Sequence, residues 1–94
     1  MAGNGNRVSG YVNVIQGNKN KYIGNSTVIS GNHNKGTGDG NVLIGDGNHM
    51  FGNGNMMLGN DNRMIGDKNV MNGDGNKVKG GDNYVGGEGN RVSG

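Results

Sequence analysis

Residues 4–10 read Asn4-Gly5-Asn6-Arg7-Val8-Ser9-Gly10, and this seven-residue unit recurs without interruption through the chain. The 91 residues after Gly3 divide into 13 such heptads, of which the last is residues 88–94. Position 7 is glycine in all 13, and position 3 is asparagine in 12, with Thr27 in the remaining one. We therefore predict a single repeat domain over residues 1–94, with residues 1–3 as a truncated heptad and no caps.

Composition narrows the class of protein. Glycine and asparagine supply 42 of the 94 residues, and only 29% of the residues are hydrophobic. A chain of this size can build one small core at most, so something besides apolar burial must stabilise it. The strict period distinguishes the chain from a disordered low-complexity segment.

The sequence contains no recognisable catalytic or metal-binding set. The absence of cysteine excludes disulfides, thiolate ligands and thiol nucleophiles. His33 and His49 stand at outward repeat positions, and each follows a lysine by two heptads, which disfavours a metal site. No nucleophile–base–acid combination occurs, so we predict a non-enzymatic protein without metal or cofactor.

Apolar runs are too short to span a membrane, and the first six residues lack the apolar core of a signal peptide. We expect no membrane partner. The residues themselves leave the compartment open.

The seven-residue period does not indicate a coiled coil. One glycine per heptad costs a helix about 1 kcal/mol each, and the repeat has no second apolar position three or four residues away. Positions 3 to 6 instead alternate inward and outward as a short strand does, and five heptads begin with Asn-Gly or Asp-Gly turns. Each heptad therefore reads as one strand and one corner, and the copies must stack as a β-solenoid, an all-β fold, with rungs about 4.8 Å apart.

Position 4 shows that the true period is 14, because it alternates between basic and apolar residues. In odd heptads it forms a basic outward ladder: Arg7, Lys21, Lys35, His49, Arg63, Lys77 and Arg91. In even heptads it forms an apolar outward ladder: Val14, Val28, Val42, Met56, Val70 and Tyr84, with Ile44 and Leu58 beside it at position 6. Two heptads thus make one turn of a flattened β-roll of about seven coils.

The inward positions support the same winding. In the odd series Tyr22 precedes Gly36 by two heptads, so the largest side chain is predicted to fill the space beside the missing one. Position 3 is predicted to be a framework of stacked amides that bond from rung to rung and to corner backbone groups. Its members are Asn6, Asn13, Asn20, Asn34, Asn41, Asn48, Asn55, Asn62, Asn69, Asn76, Asn83 and Asn90.

The unit xxNxVxG resembles that of the grass ice-binding proteins, which inhibit ice recrystallisation. The resemblance covers the whole chain and is close in Asn6-Arg7-Val8-Ser9-Gly10 and Asn76-Lys77-Val78-Lys79-Gly80. It implies a left-handed β-roll of 14-residue coils, an extracellular location and ice binding.

Each predicted ladder suggests a partner. The apolar ladder makes a strip of a few hundred Å², near the size at which exposed patches usually mean contact, so we expect packing against another copy. The basic ladder places cations about 4.8 Å apart, a repulsion that counterions, the position-1 acids or an anionic partner would relieve. We interpret it first as a solvent-facing side kept soluble by its charge, with an anionic or carbohydrate surface as the alternative partner. Scarce aromatics and a net charge of only +2 argue against nucleic acid.

The uncapped repeat predicts assembly at its ends. Residues 1–38 carry four Lys or Arg and no acid, whereas residues 39–94 carry five bases and seven acids, so opposite ends attract. Our leading hypothesis is a structural protein that stacks head to tail into filaments and pairs laterally through the apolar ladder. An ice-binding protein is the first alternative, and a binding module for anionic or carbohydrate surfaces is the second.

Overall fold

Thirteen short strands follow one another along the chain, one in each heptad. The computed structural model describes residues 2–94 and contains no helix within that range. Each strand comprises positions 4 to 6 of its heptad: β1 Arg7–Ser9, β2 Val14–Gln16, β3 Lys21–Ile23, β4 Val28–Ser30, β5 Lys35–Thr37, β6 Val42–Ile44, β7 His49–Phe51, β8 Met56–Leu58, β9 Arg63–Ile65, β10 Val70–Asn72, β11 Lys77–Lys79, β12 Tyr84–Gly86 and β13 Arg91–Ser93.

Successive strands alternate between two sheets. The odd-numbered strands form a seven-stranded sheet and the even-numbered strands form a six-stranded sheet, each in chain order. All pairings are parallel and join residues two heptads apart, as in Arg7 opposite Lys21 and Val14 opposite Val28. The predicted β-solenoid with two heptads in each coil is therefore confirmed.

The described residues make about six turns. Ala2 forms one parallel bridge with Gln16 beyond the edge of the six-stranded sheet. The predicted total of about seven coils counted residues 1–3, of which Met1 lies outside the described residues. The left-handed winding implied by the resemblance stays a prediction.

The core is a thin layer of position-5 side chains between the sheets, as the inward and outward alternation predicted. Ten of these side chains are at most 5% exposed: Ile15, Tyr22, Ile29, Leu43, Met50, Met57, Met64, Met71, Val78 and Val85. Val8 and Val92 pack against them at the two ends. The molecule measures 33 × 20 × 12 Å, so most outward side chains lie on one of two broad faces.

Tyr22 fills the space left by Gly36, which confirms the size complementarity read from the sequence. The ring is buried, with 1% of the residue exposed. A Cβ placed on Gly36 would lie 2.8 Å from Cε1 of Tyr22 and 2.9 Å from the carbonyl oxygen of Met50. The two residues are paired on neighbouring strands, so the tyrosine ring occupies the space that a side chain at position 36 would need.

Position 2 of every heptad has a left-handed backbone. Six of the thirteen are glycines with φ between +65° and +69°, and the other seven are Val12, Lys19, Ser26, His33, Asp61, Lys68 and Asp82, with φ between +55° and +59°. This conformation disfavours β-branched residues most, because their side chains crowd the neighbouring carbonyl. The corner predicted in every heptad thus has the same left-handed backbone whether or not Asn-Gly or Asp-Gly occupies it.

Position 7 requires glycine because a side chain there would collide with the backbone of the next rung. Gly45 has φ of +127°, and a Cβ there would overlap the carbonyl oxygen of Gly59 on the next rung. The corners therefore stack backbone directly on backbone.

Candidate functional site

The position-3 asparagines hold the corners together through hydrogen bonds from their side chains to the backbone. Eleven of them donate from Nδ2 to the carbonyl oxygen of a position-7 glycine on the next rung, at 2.6 to 2.8 Å. Asn55 is representative, with Nδ2 2.7 Å from the oxygen of Gly66. Its Oδ1 accepts from the backbone N–H of Asn69 at 2.9 Å.

The predicted asparagine ladder is confirmed, and its bonds run from side chain to backbone. Ten of the twelve amides, all but Asn83 and Asn90, satisfy one donor and one acceptor that the corner would otherwise leave without partners. Among the described residues, no buried side-chain nitrogen or oxygen lacks a partner. These asparagines are committed to the framework and are not free to bind a ligand.

A second ladder, which the sequence reading missed, runs along the exposed corners at position 1. The Oδ1 of Asn53 accepts from the backbone N–H of Asp39, and the Oδ1 of Asp67 accepts from that of Asn53, both at 2.8 Å. Asn or Asp occupies this position in ten of the thirteen heptads, and that bias was the available signal.

Thr27 interrupts the buried ladder, and Tyr22 repairs it. Thr27 has no amide to donate to the carbonyl oxygen of Gly38, the acceptor that the ladder pattern assigns to its position. The Tyr22 hydroxyl donates to that oxygen at 2.5 Å and accepts from Nδ2 of Asn41 at the same distance. The structure therefore joins Thr27 and Gly36, two departures from the repeat, in one compensated arrangement.

The outward side chains of the six-stranded sheet include no charged residue, and we call this surface the neutral face. It comprises Val14, Gln16, Val28, Ser30, Val42, Ile44, Met56, Leu58, Val70, Asn72, Tyr84 and Gly86. The predicted apolar ladder lies here with its residues in adjacent pairs, and Val14 is 50% and Met56 42% exposed. Tyr84, at one end, is 82% exposed.

The outward side of the seven-stranded sheet carries the basic ladder, and we call this surface the cationic face. All seven predicted residues are exposed, and each lies opposite the next on the neighbouring strand. They are Arg7, Lys21, Lys35, His49, Arg63, Lys77 and Arg91. Lys79 adds an eighth basic side chain at position 6.

A second column on the cationic face was missed in the sequence reading. It is formed by position 6 of the odd strands: Ser9, Ile23, Thr37, Phe51, Ile65, Lys79 and Ser93. Ile23 is 56%, Phe51 36% and Ile65 40% exposed, so apolar groups stand beside the cations. Reading position 6 in every second heptad would have found them.

The acidic residues are confined to the corners. All seven occupy position 1 or 2 of a heptad: Asp39, Asp46, Asp61, Asp67, Asp74, Asp82 and Glu88. Seven of the nine Lys and Arg residues lie on the cationic face, and Lys19 and Lys68 lie at corners. Charge is therefore sorted by surface.

Within residues 2–94, no three His, Cys, Asp or Glu side chains gather in a way that could hold a metal ion. The same residues contain no helix long and apolar enough to cross a membrane.

The fold and these two faces define a β-solenoid repeat protein with a buried asparagine ladder, an architecture consistent with a structural role. No protein-family model matches the chain, and no curated protein sequence matches it.

Proposed function

We propose that this chain is a non-enzymatic structural protein that associates with copies of itself through the neutral face. The observation that carries the proposal is the absence of charge from the outward side of a whole sheet in a chain with 16 Lys, Arg, Asp and Glu residues. An exposed apolar strip of this kind usually marks a contact surface.

A second copy fits the neutral face because it carries the same rung spacing. Six rungs about 4.8 Å apart span about 24 Å, and the rows of two facing sheets interdigitate when the sheets pack about 10 Å apart. A two-fold axis would pair each surface with itself, the usual arrangement in homodimers.

Electrostatics favours the same choice of face. Pairing through the neutral faces leaves the two basic ladders on opposite outer sides of the dimer. Pairing through the cationic faces would set two rows of seven basic residues against each other, which costs free energy unless counterions intervene.

The proposal extends to end-to-end stacking. Strands β1 and β13 are the edges of the seven-stranded sheet, and each pairs with one described strand only. A second copy with its β1 beside β13 would place Arg7 next to Arg91 and Val8 next to Val92, continuing both rows. Open strand edges of this kind recruit further strands.

Sedimentation velocity over a concentration series tests lateral pairing. We expect the wild-type chain to associate, Val42→Arg to lose lateral pairing and sediment as smaller species than wild type, and Thr37→Arg, which adds the same charge to the opposite face, to associate like wild type. A wild-type chain that stays monomeric at the highest concentration contradicts the proposal. Equal behaviour of the two variants contradicts the assignment of the face.

Electron micrographs test end-to-end stacking separately. Seven rungs about 4.8 Å apart give an axial repeat near 33 Å. Paired particles that never extend along the solenoid axis would support lateral pairing and reject stacking.

Ice binding is the second candidate, and the same face supports it. A flat, uncharged and regularly spaced surface suits an ordered water lattice, and the repeat resembles that of the grass ice-binding proteins. Ice recrystallisation assays should then show inhibition by the wild type and its loss in Val42→Arg. Inhibition that survives Val42→Arg would exclude the neutral face as the ice-binding surface.

A further inference from the structure

Self-association through the neutral face gives no role to the charge of the cationic face. The cationic face carries eight basic side chains and no acidic one, although the whole chain has a formal net charge of only +2. The imbalance is greatest over residues 1–38, which carry Arg7, Lys19, Lys21 and Lys35 and no acid. In this part of the chain, no acidic residue at a corner offsets the basic side chains of the face.

The charges are arranged in one line. Lys21 pairs with Arg7 on one side and Lys35 on the other, and the pairing continues through His49 to Arg91. Seven rungs about 4.8 Å apart make a row about 29 Å long. Neighbouring like charges at this distance repel each other, so an anionic chain lying along the row relieves a cost already present in the fold.

Apolar and hydroxyl groups lie beside this line. Ile23, Thr37, Phe51 and Ile65 form adjacent pairs in the position-6 column, next to the column of cations. Near the carboxyl-terminal end, a shallow hollow is lined by both kinds of side chain, including Arg63, Ile65, Lys77, Lys79 and Arg91. The face therefore offers charge along one strip and apolar contact along the next.

We propose that the cationic face binds an extended acidic polysaccharide, with its carboxylates or sulfates on the basic ladder and the apolar C–H faces of its sugar rings on the position-6 column. The partner is defined by three features on the face: linear charge, a parallel apolar strip and a flat surface without a deep pocket. This binding uses the sheet opposite the neutral face, so it does not depend on self-association.

Two other polyanions fit less well. Single-stranded nucleic acid is held by aromatic side chains on which successive bases stack, and Phe51 is the only aromatic residue on this face of the described strands. An anionic membrane is bound by apolar side chains that insert several Å below the headgroups. Here Ile23, Phe51 and Ile65 lie in the same flat sheet as the cations and are only 36% to 56% exposed.

The test is direct binding of the intact chain to defined probes. Heparin fragments supply sulfates, polygalacturonate supplies carboxylates, and dextran is the uncharged control. A thymidine oligonucleotide and phosphatidylserine–phosphatidylcholine vesicles represent the other polyanions. We expect binding to one or both acidic polysaccharides, none to dextran, and an affinity that falls steeply as NaCl is raised, because bound cations are released.

Matched lysine variants locate the site. Lys35→Gln removes one charge from the ladder, and Lys68→Gln removes one charge from a corner outside it. Because an exposed charge pair contributes modestly, we expect Lys35→Gln to weaken binding about threefold to fivefold. Lys21→Gln combined with Lys35→Gln should weaken it about tenfold or more, with a shallower salt dependence. Lys68→Gln should leave affinity within about twofold of wild type.

Three results would overturn the inference. They are the absence of binding to both acidic polysaccharides at low salt, equal losses in Lys35→Gln and Lys68→Gln, and tighter binding to the oligonucleotide or the vesicles than to either polysaccharide. These substitutions change exposed side chains only, and those in the ladder also relieve repulsion between like charges, so unfolding temperatures no lower than that of wild type should accompany all of them.

Discussion

The hydroxyl of Tyr22 donates to the carbonyl oxygen of Gly38, the acceptor that an asparagine at position 27 would use. The tyrosine ring reaches this point through the space left by Gly36. Three departures from the repeat, Tyr22, Thr27 and Gly36, therefore form one arrangement that keeps a buried carbonyl paired. An isolated loss of the amide would leave that carbonyl without a donor.

This relationship predicts a specific rescue. Tyr22→Phe should lower the free energy of unfolding by about 1 to 3 kcal/mol, because the oxygen of Gly38 loses its donor. Adding Thr27→Asn to that variant should restore most of the loss, whereas Thr27→Asn alone should gain little. Urea denaturation of the four proteins measures the coupling. Tyr84→Phe is the control, since the 82% exposed Tyr84 should lose its hydroxyl without effect.

Additivity would disprove the compensation. If Thr27→Asn changes stability by the same amount with Tyr22 and with Phe at position 22, the two residues do not share the acceptor.

Glycines at positions 2 and 7 should differ sharply in tolerance. Gly45→Ala places a Cβ onto the backbone of Gly59 and should prevent folding. The Cβ of Gly40→Ala would point into open space, so this variant should lose only about 1 kcal/mol of unfolding free energy, the cost of a left-handed backbone for alanine. Circular dichroism and thermal unfolding measure both. A folded Gly45→Ala with near-normal stability would show that the corners do not stack as described.

Val12 is a position where the native residue is strained. It is β-branched, 80% exposed and has φ of +57°. Val12→Gly should therefore raise the free energy of unfolding by about 1 kcal/mol, since glycine adopts this conformation without a steric cost. Ser26→Gly, at φ +56°, is the control and should gain less, because serine is not β-branched. A destabilised Val12→Gly would mean that the valine side chain makes contacts that offset its strain.

The buried position-3 ladder should contribute more to the free energy of unfolding than the exposed position-1 ladder. Asn55→Ala leaves a carbonyl and an N–H unpaired in the interior and should cost roughly 2 to 5 kcal/mol. Asn53→Ala removes a bond at an exposed corner, where water replaces the lost acceptor, and should cost under about 1 kcal/mol. Equal losses in chemical denaturation would contradict the assignment of the position-3 asparagines as the main framework.

The winding of the chain was predictable because one observation determines it. Basic residues such as Arg7 and apolar residues such as Val14 alternate at position 4, and only a turn of two heptads places each kind on its own sheet. The inward row followed from the same frame, including the fit of Tyr22 to Gly36. Burial of the asparagines followed because a thin core needs polar bonds to order so many glycines.

Other features depend on atoms that a repeat pattern does not specify. The bond from Tyr22 to Gly38 requires the length of the ring and the missing amide of Thr27 to be considered together in three dimensions. Asn53 looked like an ordinary turn residue, although stacking makes its side chain a bridge between rungs. Ile23 and Phe51 were missed because position 6 varies more than position 4. The left-handed backbone at Val12 is imposed by neighbouring rungs against the preference of valine.

The alternation of sheets from one heptad to the next restricts which insertions and deletions the architecture tolerates. Removing residues 46–59 deletes one complete turn, after which Met64 follows Gly36 in the core and both faces keep their chemistry. Removing only residues 46–52 transfers all later strands to the opposite side, so that Met56 enters the row of cations and Arg63 enters the row of valines. Length is therefore a quantised property of this architecture, adjustable in modules of two heptads and resistant to change in any smaller step.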